Sequence, residues 1–389
     1  MEEQLLSKGP FHVDTFLLCL LIFEKKDFSA TELCQKSGAP RAERVVPNQR
    51  SCGATSRPKD GTFIHRQRPW FFAAGVKKGD QVLMKAVVYH GIRDLRVEEV
   101  AEPKPGPGEA KIRVKYCGIC GSDLHEYLYG LYPQSSFGHE ACGEIIEVGR
   151  EVKGFQVGDN VIAVQKGAYA EYLVCPQERM IKKPGNMSWE RAAVVEPLSV
   201  AAYAIEKGGI RPSDTILIAG AGPVGLTVLL GLKAVGVEKI YVTDISETRR
   251  KKAKELGATL VLNPLAEKIP AKVKELSAGK GVDVAVEAVG IEAALKDCLA
   301  SVCYQGKVIV QGIFNDRVPV HMLGFVTRET TMIGTNSNNL SLAMSWIESK
   351  GIQPELIITK VIPLEQISAE GFEVLTRKDK KEIKILVAP

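Results

Sequence analysis

TILIAGAGPVGLTVLLGLKAVGVEKIYVTD, residues 215–244, reads as a strand, a glycine turn, a helix and a second strand. Ile216 to Ala219 is a short branched apolar run suited to a buried parallel strand, and Gly220, Gly222 and Gly225 follow it in G-x-G-x-x-G spacing. Each glycine has a steric task. The first permits the tight turn, the second lets a pyrophosphate approach the backbone, and the third lets the helix opening at Pro223 and Val224 pack closely on the strand. The helix N-terminus then presents unpaired N–H groups and partial positive charge to an anion.

Ile240 to Thr243 supplies the second strand, and Asp244 stands nineteen residues beyond Gly225. There a carboxylate accepts hydrogen bonds from an adenosine ribose and repels a 2′-phosphate, which favours NAD over NADP. A lone glycine fingerprint is weak evidence; with strand, helix and acid all in place it predicts a dinucleotide site. Arg249 joins Gly220, Gly222, Pro223, Val224, Gly225 and Asp244 as a candidate cofactor contact. Arg249 and Arg250 weaken the NAD preference slightly, and their place on a helix after the strand predicts that both are solvated.

Length and composition set the frame. A chain of 389 residues, 45% hydrophobic and 25% charged, predicts a soluble globular protein of two domains with an appendage. Residues 1–83 carry 13 Lys/Arg against 9 Asp/Glu, leaving 38 against 37 for the rest. The main body is therefore nearly neutral, which argues against nucleic acid as a partner. Nine cysteines without framework spacing argue for a reducing compartment and a cytoplasmic location. The apolar run Thr15 to Phe23 is too short to span a membrane. Glu2 and Glu3 stand where a secretory signal carries positive charge, and no small-residue cleavage site comes after Lys25 and Lys26.

Residues 1–83 read as an extension discontinuous with the rest of the chain. Phe16 to Phe23 suits one helix, and Ser29-Ala-Thr-Glu32 is a capping-box signature for a second. LLIFEKKDFSATELCQKSGAPR resembles the first half of the winged helix-turn-helix of IclR-type bacterial regulators, but Pro47 interrupts the recognition helix such a reader needs. The stretch Arg41 to Trp70, rich in Arg, Pro, Gly and Ser, reads as disordered. Met84-Lys-Ala-Val-Val-Tyr is a natural beginning for the next domain, so the arm reads as upstream sequence or a nonfunctional remnant.

From Met84 the pattern is compact and β-rich, with MKAVVY, LRVEEV, Ala110 to Tyr116, GEIIEVG and VGDNVIAV as strands. A helix beginning near Ser188 carries Glu196 into the nucleotide segment. Beyond Asp244, VDVAVEAVG, KVIVQGIF and TTMIGT read as buried strands between helices, which predicts an α/β doubly wound parallel sheet. The expected boundaries are 84–204 for the β-rich domain, 205–337 for the nucleotide domain, and 338–389 for a return to the first.

The β-rich segment carries Cys117-Gly-Ile-Cys120-Gly-Ser-Asp123-Leu-His125 and, nineteen residues after Cys120, His139-Glu140. Cys120, His139 and a carboxylate form a mixed sulfur, nitrogen and oxygen set suited to zinc with a position left open. The residues alone leave other readings in place: Cys117 and Cys120 as a redox pair or half a zinc knuckle, or unrelated thiols and an imidazole.

From Met84 onward, CGICGSDLHEYL, GHE, VEPLSVAAYA and GAGPVG together resemble the zinc-dependent medium-chain alcohol and polyol dehydrogenases, in particular the butanediol, sorbitol and threonine dehydrogenase branch. The resemblance covers roughly 305 residues, with its motifs in the family's order. It implies a GroES-like catalytic domain beside the Rossmann sheet. It implies Cys120 and His139 as catalytic zinc ligands, with Glu140 as the adjacent carboxylate that ligates or approaches the metal. Glu196 falls where relatives supply a further ligand, Ser122 where a hydroxyl takes the substrate proton, and His125 at a later station of that relay. A surface position on the following helix is the plainer reading of His125. Asp123 reads as structural, and Cys117, Cys142 and Cys175 as core thiols.

Two departures from the family pattern stand out. The lobe with four close cysteines that holds a structural zinc is missing, since Gln165-Lys166-Gly167 runs straight into AYAEYLV. The Cys120 to His139 interval is also short, which predicts a more open pocket. The resemblance thus implies an NAD-dependent enzyme with one catalytic zinc, acting on a small-molecule secondary alcohol, diol or polyol, and assembled as a dimer or tetramer. Two rivals are a metal-free NADPH-dependent quinone or enone reductase and a DNA-binding regulator with a nucleotide-sensing body. Cys120, His139 and Asp244 oppose the first, and Pro47 the second.

Overall fold

The computed structural model describes residues 82–130, 137–377, 379 and 381–389. The winged-helix-like stretch with its capping box, and residues 131–136 of the shortened loop, lie outside the described residues.

The decisive stretch folds as the expected parallel sheet. Its strand order is Leu260–Leu262, Lys239–Thr243, Thr215–Ala219, Val282–Glu287, Val302–Val310, Thr331–Gly334, with every pair parallel. The winding starts at Thr215–Ala219, runs outward two strands, and restarts on the other side at Val282–Glu287, as in a dinucleotide-binding sheet. Ile216 and Ile218 face one apolar cluster and Leu217 and Ala219 another, because helices cover both faces. Each large side chain buried this way contributes about 1.5–3 kcal/mol.

The glycine turn fits its steric reading. Gly220 has φ +103°, and a Cβ on Gly225 would stand 1.9 Å from the Gly220 carbonyl oxygen. Helix Pro223–Val235 begins at once, with proline in its first turn, where its missing N–H costs nothing.

The β-rich lobe is organised on strand Glu109–Gly118. It pairs antiparallel with Glu140–Val148, Tyr172–Pro176 and the C-terminal strand Lys384–Ala388. Tyr127, Phe137, Tyr169 and Phe372 fill its centre in tilted and edge-on contacts. Helix Val195–Gly208 joins the two lobes. Leu198, Ala202 and Ile205 share one buried cluster with Ile216, Leu226 and Leu229 of the parallel sheet side and with Cys142 and Ile162 of the β-rich side. Glu196, at the start of this helix, is thereby fixed at the junction. Among the described residues no helix is long and apolar enough to cross a membrane.

Candidate active site

The nineteen-residue gap between Cys120 and His139 is closed by strand pairing. Gly118 opposes Glu140 across the antiparallel ladder, so Cys120, two residues past Gly118, meets His139, one residue before Glu140. Ligand atoms of Cys120, His139 and Glu140 all lie within 4.8 Å of one another. The set does not include Glu196. That residue is 5% exposed on its helix, and its carboxyl is pushed up to about 7 by burial, with Glu140 adding to the shift and His139 opposing it.

Lys384 and Asp123 complete the site from opposite sides. Lys384 pairs with Glu140 Oε2, each side chain 1% exposed, and Lys384 Nζ also donates to the Ile119 carbonyl at 2.9 Å. Burial works against the ammonium charge, but Glu140 and then Cys120 outweigh it and hold the lysine above its usual range. A Cβ on Gly118 would stand 2.0 Å from Glu140 Oε2 and 3.1 Å from Lys384 Cε, so the pair fits only beside a glycine.

Asp123, buried, receives the Tyr169 hydroxyl at 2.7 Å and the Cys120 and Gly138 amides at 3.3 and 3.4 Å. Its Oδ1 lies 3.7 Å from His139 Nδ1. Burial raises its pKa, yet His139, Tyr169 and the Cys120 amide together keep it below the usual carboxylate range. A proton on Nδ1 facing Asp123 leaves Nε2 with its lone pair, the arrangement that suits a metal-binding imidazole.

These donors fit a zinc ion. They combine thiol, imidazole and carboxylate, the borderline-soft set zinc accepts. Burial disfavours an imidazolium, yet Cys120 and Asp123 hold the His139 pKa well above its usual value. The field that draws a proton to His139 also draws a cation.

Ser122 and His125 ride on helix Gly121–Tyr129 directly after Cys120. No hydrogen bond joins the two among the described residues. His125 Nδ1 instead lies 2.9 Å from Asn315 Oδ1, on the loop after Val302–Val310, so this ring bridges the β-rich lobe and the nucleotide lobe. Asn315 had no signal of its own in the sequence.

Asp244 comes directly after strand Lys239–Thr243 and accepts from Ala221 N at 2.8 Å and Ser246 N at 2.7 Å. Its carboxylate therefore locks the glycine turn. The expected solvation is corrected for Arg249. Arg249 Nη2 donates to the Glu382 carbonyl at 2.9 Å, Nη1 lies 3.6 Å from where a Gly222 Cβ would be, and Nε is buried without a hydrogen-bond partner among the described residues. Arg249 is the third residue of helix Glu247–Glu255, where side chains tilt back toward the N-terminus and so toward the turn. Arg250 donates to the carbonyls of Asp244 and Ile245 at 2.7 and 2.9 Å.

Comparison with known proteins agrees with both halves of this arrangement. Residues 106–185 match the alcohol dehydrogenase GroES-like domain, and residues 223–349 match the zinc-binding dehydrogenase domain. The chain is 34% identical to (R,R)-butanediol dehydrogenase of Bacillus subtilis (strain 168), over 79% of this chain and 100% of that protein. It is 32% identical to sorbitol dehydrogenase of Homo sapiens, over 75% of this chain and 92% of that protein. The crystal structure of 2R,3R-butanediol dehydrogenase from Bacillus subtilis superposes with a TM-score of 0.72 at 33% identity, covering 79% of this chain and 99% of that one. The chain belongs to the zinc-dependent medium-chain alcohol and polyol dehydrogenase family, and it is an oxidoreductase that works with zinc and a nicotinamide cofactor.

Proposed function

We propose that this enzyme oxidises a vicinal diol or polyol reversibly to the corresponding hydroxyketone, with NAD as the acceptor and a single catalytic zinc. The observation that carries the reading is the convergence of Cys120, His139 and Glu140, with the buried Glu196 beside them, at the junction of the two lobes. The butanediol and sorbitol dehydrogenases among the relatives support the substrate class.

Cys120, His139 and Glu140 would hold the metal. When bound, zinc supplies a Lewis acid that lowers the pKa of the substrate hydroxyl. Asp123 keeps His139 oriented, and Lys384 balances the charge of Glu140. Ser122 takes the hydroxyl proton, and His125, to which Ser122 makes no direct hydrogen bond among the described residues, is a later station of the relay toward solvent. Glu196, buried beside this set, offers an acceptor for the neighbouring hydroxyl of a diol.

Residues 84–204 and 338–389 form the catalytic domain in this reading and 205–337 the nucleotide domain, with 1–83 an extension outside the family. A cytoplasmic location follows from the cysteine usage. The edge strand Thr331–Gly334 and exposed Met322, Leu323, Val326 and Met332 support a homo-oligomer. A mostly apolar cavity of about 320 Å³, lined by Leu295, Leu299, Val318 and Phe325 among others, lies beside that surface and shares no residue with the active site.

The test is zinc content together with NAD reduction on 2,3-butanediol and sorbitol, before and after chelation. About one zinc per chain and activity lost with the metal are expected, as for a catalytic site without a structural one. Comparable turnover of ethanol and the diols removes the polyol preference, and activity that survives full chelation removes the zinc mechanism.

Cofactor choice has its own check. Asp244→Ser narrows the ratio of kcat/KM for NAD over NADP by about tenfold or more, the worth of one hydrogen bond to a charged group. The variant also loses thermal stability, because Asp244 holds the amides of Ala221 and Ser246. Equal use of NAD and NADP by the unaltered enzyme contradicts the preference.

A further inference from the structure

The parallel sheet reverses its winding between Thr215–Ala219 and Val282–Glu287. In a doubly wound sheet the ligand crevice opens at the carboxyl ends of the strands flanking that reversal. One flank is the glycine turn. The other is the turn 288–291 after Val282–Glu287, and the two are in contact: a Cβ on Gly220 would lie 2.7 Å from Val289 Cγ2 and 3.1 Å from the Ala288 carbonyl oxygen. Val289 is left 42% exposed. The second flank is thus as much a wall of the crevice as the first.

Glu287 sets that wall. It is 0% exposed. Its Oε1 accepts from the backbone N–H groups of Val289 at 2.9 Å and Gly290 at 2.8 Å. Its main-chain carbonyl accepts from Gln311 N at 2.9 Å and Gly312 N at 3.1 Å, which ties in the turn after the next strand. The two turns interlock through glycines: a Cβ on Gly312 would stand 2.3 Å from Glu287 Oε2, and one on Gly290, at φ +82°, would stand 2.2 Å from the Ile313 carbonyl oxygen. Burial raises the carboxyl's pKa and the amides of Gly290, Val289, Gly312 and Ile291 oppose the shift, so the surroundings were built to receive an acceptor. Glu287 is not among the residues whose ligand atoms converge for a metal, so its burial needs another account.

We propose that Glu287 is a positioning residue for the dinucleotide. By gathering the N–H groups of Val289 and Gly290 it fixes the turn 288–291 against Gly220, and with it the width of the crevice the nicotinamide cofactor enters. The proposal rests on the NAD-linked dehydrogenase reading given above.

Calorimetric titration of NADH into the zinc-loaded enzyme and its variants tests it. Glu287→Gln keeps an oxygen for both N–H groups, whereas Glu287→Asp keeps the charge and the fold but pulls the acceptor back by one methylene. The Gln variant binds NADH within about twofold of the unaltered enzyme, and the Asp variant about tenfold more weakly, a change of about 1.4 kcal/mol. Zinc content and the KM for the alcohol at saturating cofactor stay unchanged in both. A folded Glu287→Ala variant carries the same expectation as Asp. Unaltered NADH affinity in the Asp and Ala variants overturns the proposal. A Gln variant as weak as Asp also overturns it, since charge rather than the held amides would then matter. If the unaltered enzyme binds neither NADH nor NADPH, the dehydrogenase reading itself has failed, a result distinct from variants that match a binding parent.

Discussion

Cys120→Ala lowers kcat/KM for the alcohol by about a thousandfold, a loss of roughly 4 kcal/mol of transition-state stabilisation, and the purified variant loses its zinc. Among the described residues three donors converge at this site, and Cys120 supplies the only sulfur of the three. Without it the metal would rest on His139 through a single ring nitrogen and on Glu140, one of whose oxygens is taken by Lys384. Cys120 is partly exposed at the start of a helix rather than packed in a core, so its removal leaves the fold intact.

The neighbouring thiol makes the control. Cys117 is fully buried, and burial, with Glu140 and Asp123 adding to it, pushes its pKa well above the usual thiol value. It is therefore inert at neutral pH, and Cys117→Ala retains zinc and most of the activity while losing some thermal stability. Metal analysis and steady-state kinetics on the two variants decide between a zinc site and a C-x-x-C redox pair. Equal losses in both would favour the pair, and full activity in Cys120→Ala would end the zinc assignment.

What the sequence disclosed and what it withheld divide along one physical line. The glycine turn was legible because a positive φ and a 1.9 Å approach leave no other residue type, and such constraints are local. Cys120, His139 and Glu140 were legible because zinc needs those atoms, whatever the path of the chain between them. Residues whose roles come from strand order were not. Lys384 lies 244 positions beyond Glu140, and only the pairing of Lys384–Ala388 with Glu109–Gly118 brings them together. One signal for it existed: a lysine inside the apolar run Ile383 to Val387 has to find a buried partner. Arg249 escapes a sequence reading for a related reason. Its place on a helix after the strand predicts solvation, but its reach toward Gly222 and Glu382 depends on how the helix is laid over the turn. Glu287 sat in plain view at the end of a strand, where only the interlocked turns around it show why a carboxylate is there.

Lys384→Met destabilises the zinc-free protein by about 3–5 kcal/mol, the cost of leaving a buried carboxylate without its partner. The methionine fills the volume of the lysine stem, so the loss is one of charge and hydrogen bonds rather than of packing. Among the described residues Glu140 and Glu196 then have only His139 to offset their charge, and the Ile119 carbonyl loses its donor. Adding Glu140→Gln removes the stranded charge, and the double variant regains roughly half the loss or more, because a buried pair replaced as a unit costs far less than a pair broken at one end. Urea unfolding of the two single variants and the double, all stripped of metal so that binding does not contribute, measures the coupling directly. A double variant no more stable than Lys384→Met shows that the ammonium does not serve Glu140. The metal-loaded forms extend the argument. Removing Lys384 leaves the donor cluster more negative, so zinc stabilises the variant by more than it stabilises the unaltered chain. The gap between loaded and stripped stability widens as a result. In the unaltered enzyme Lys384 joins His139 as a cation that lets this acidic pocket fold before its metal arrives.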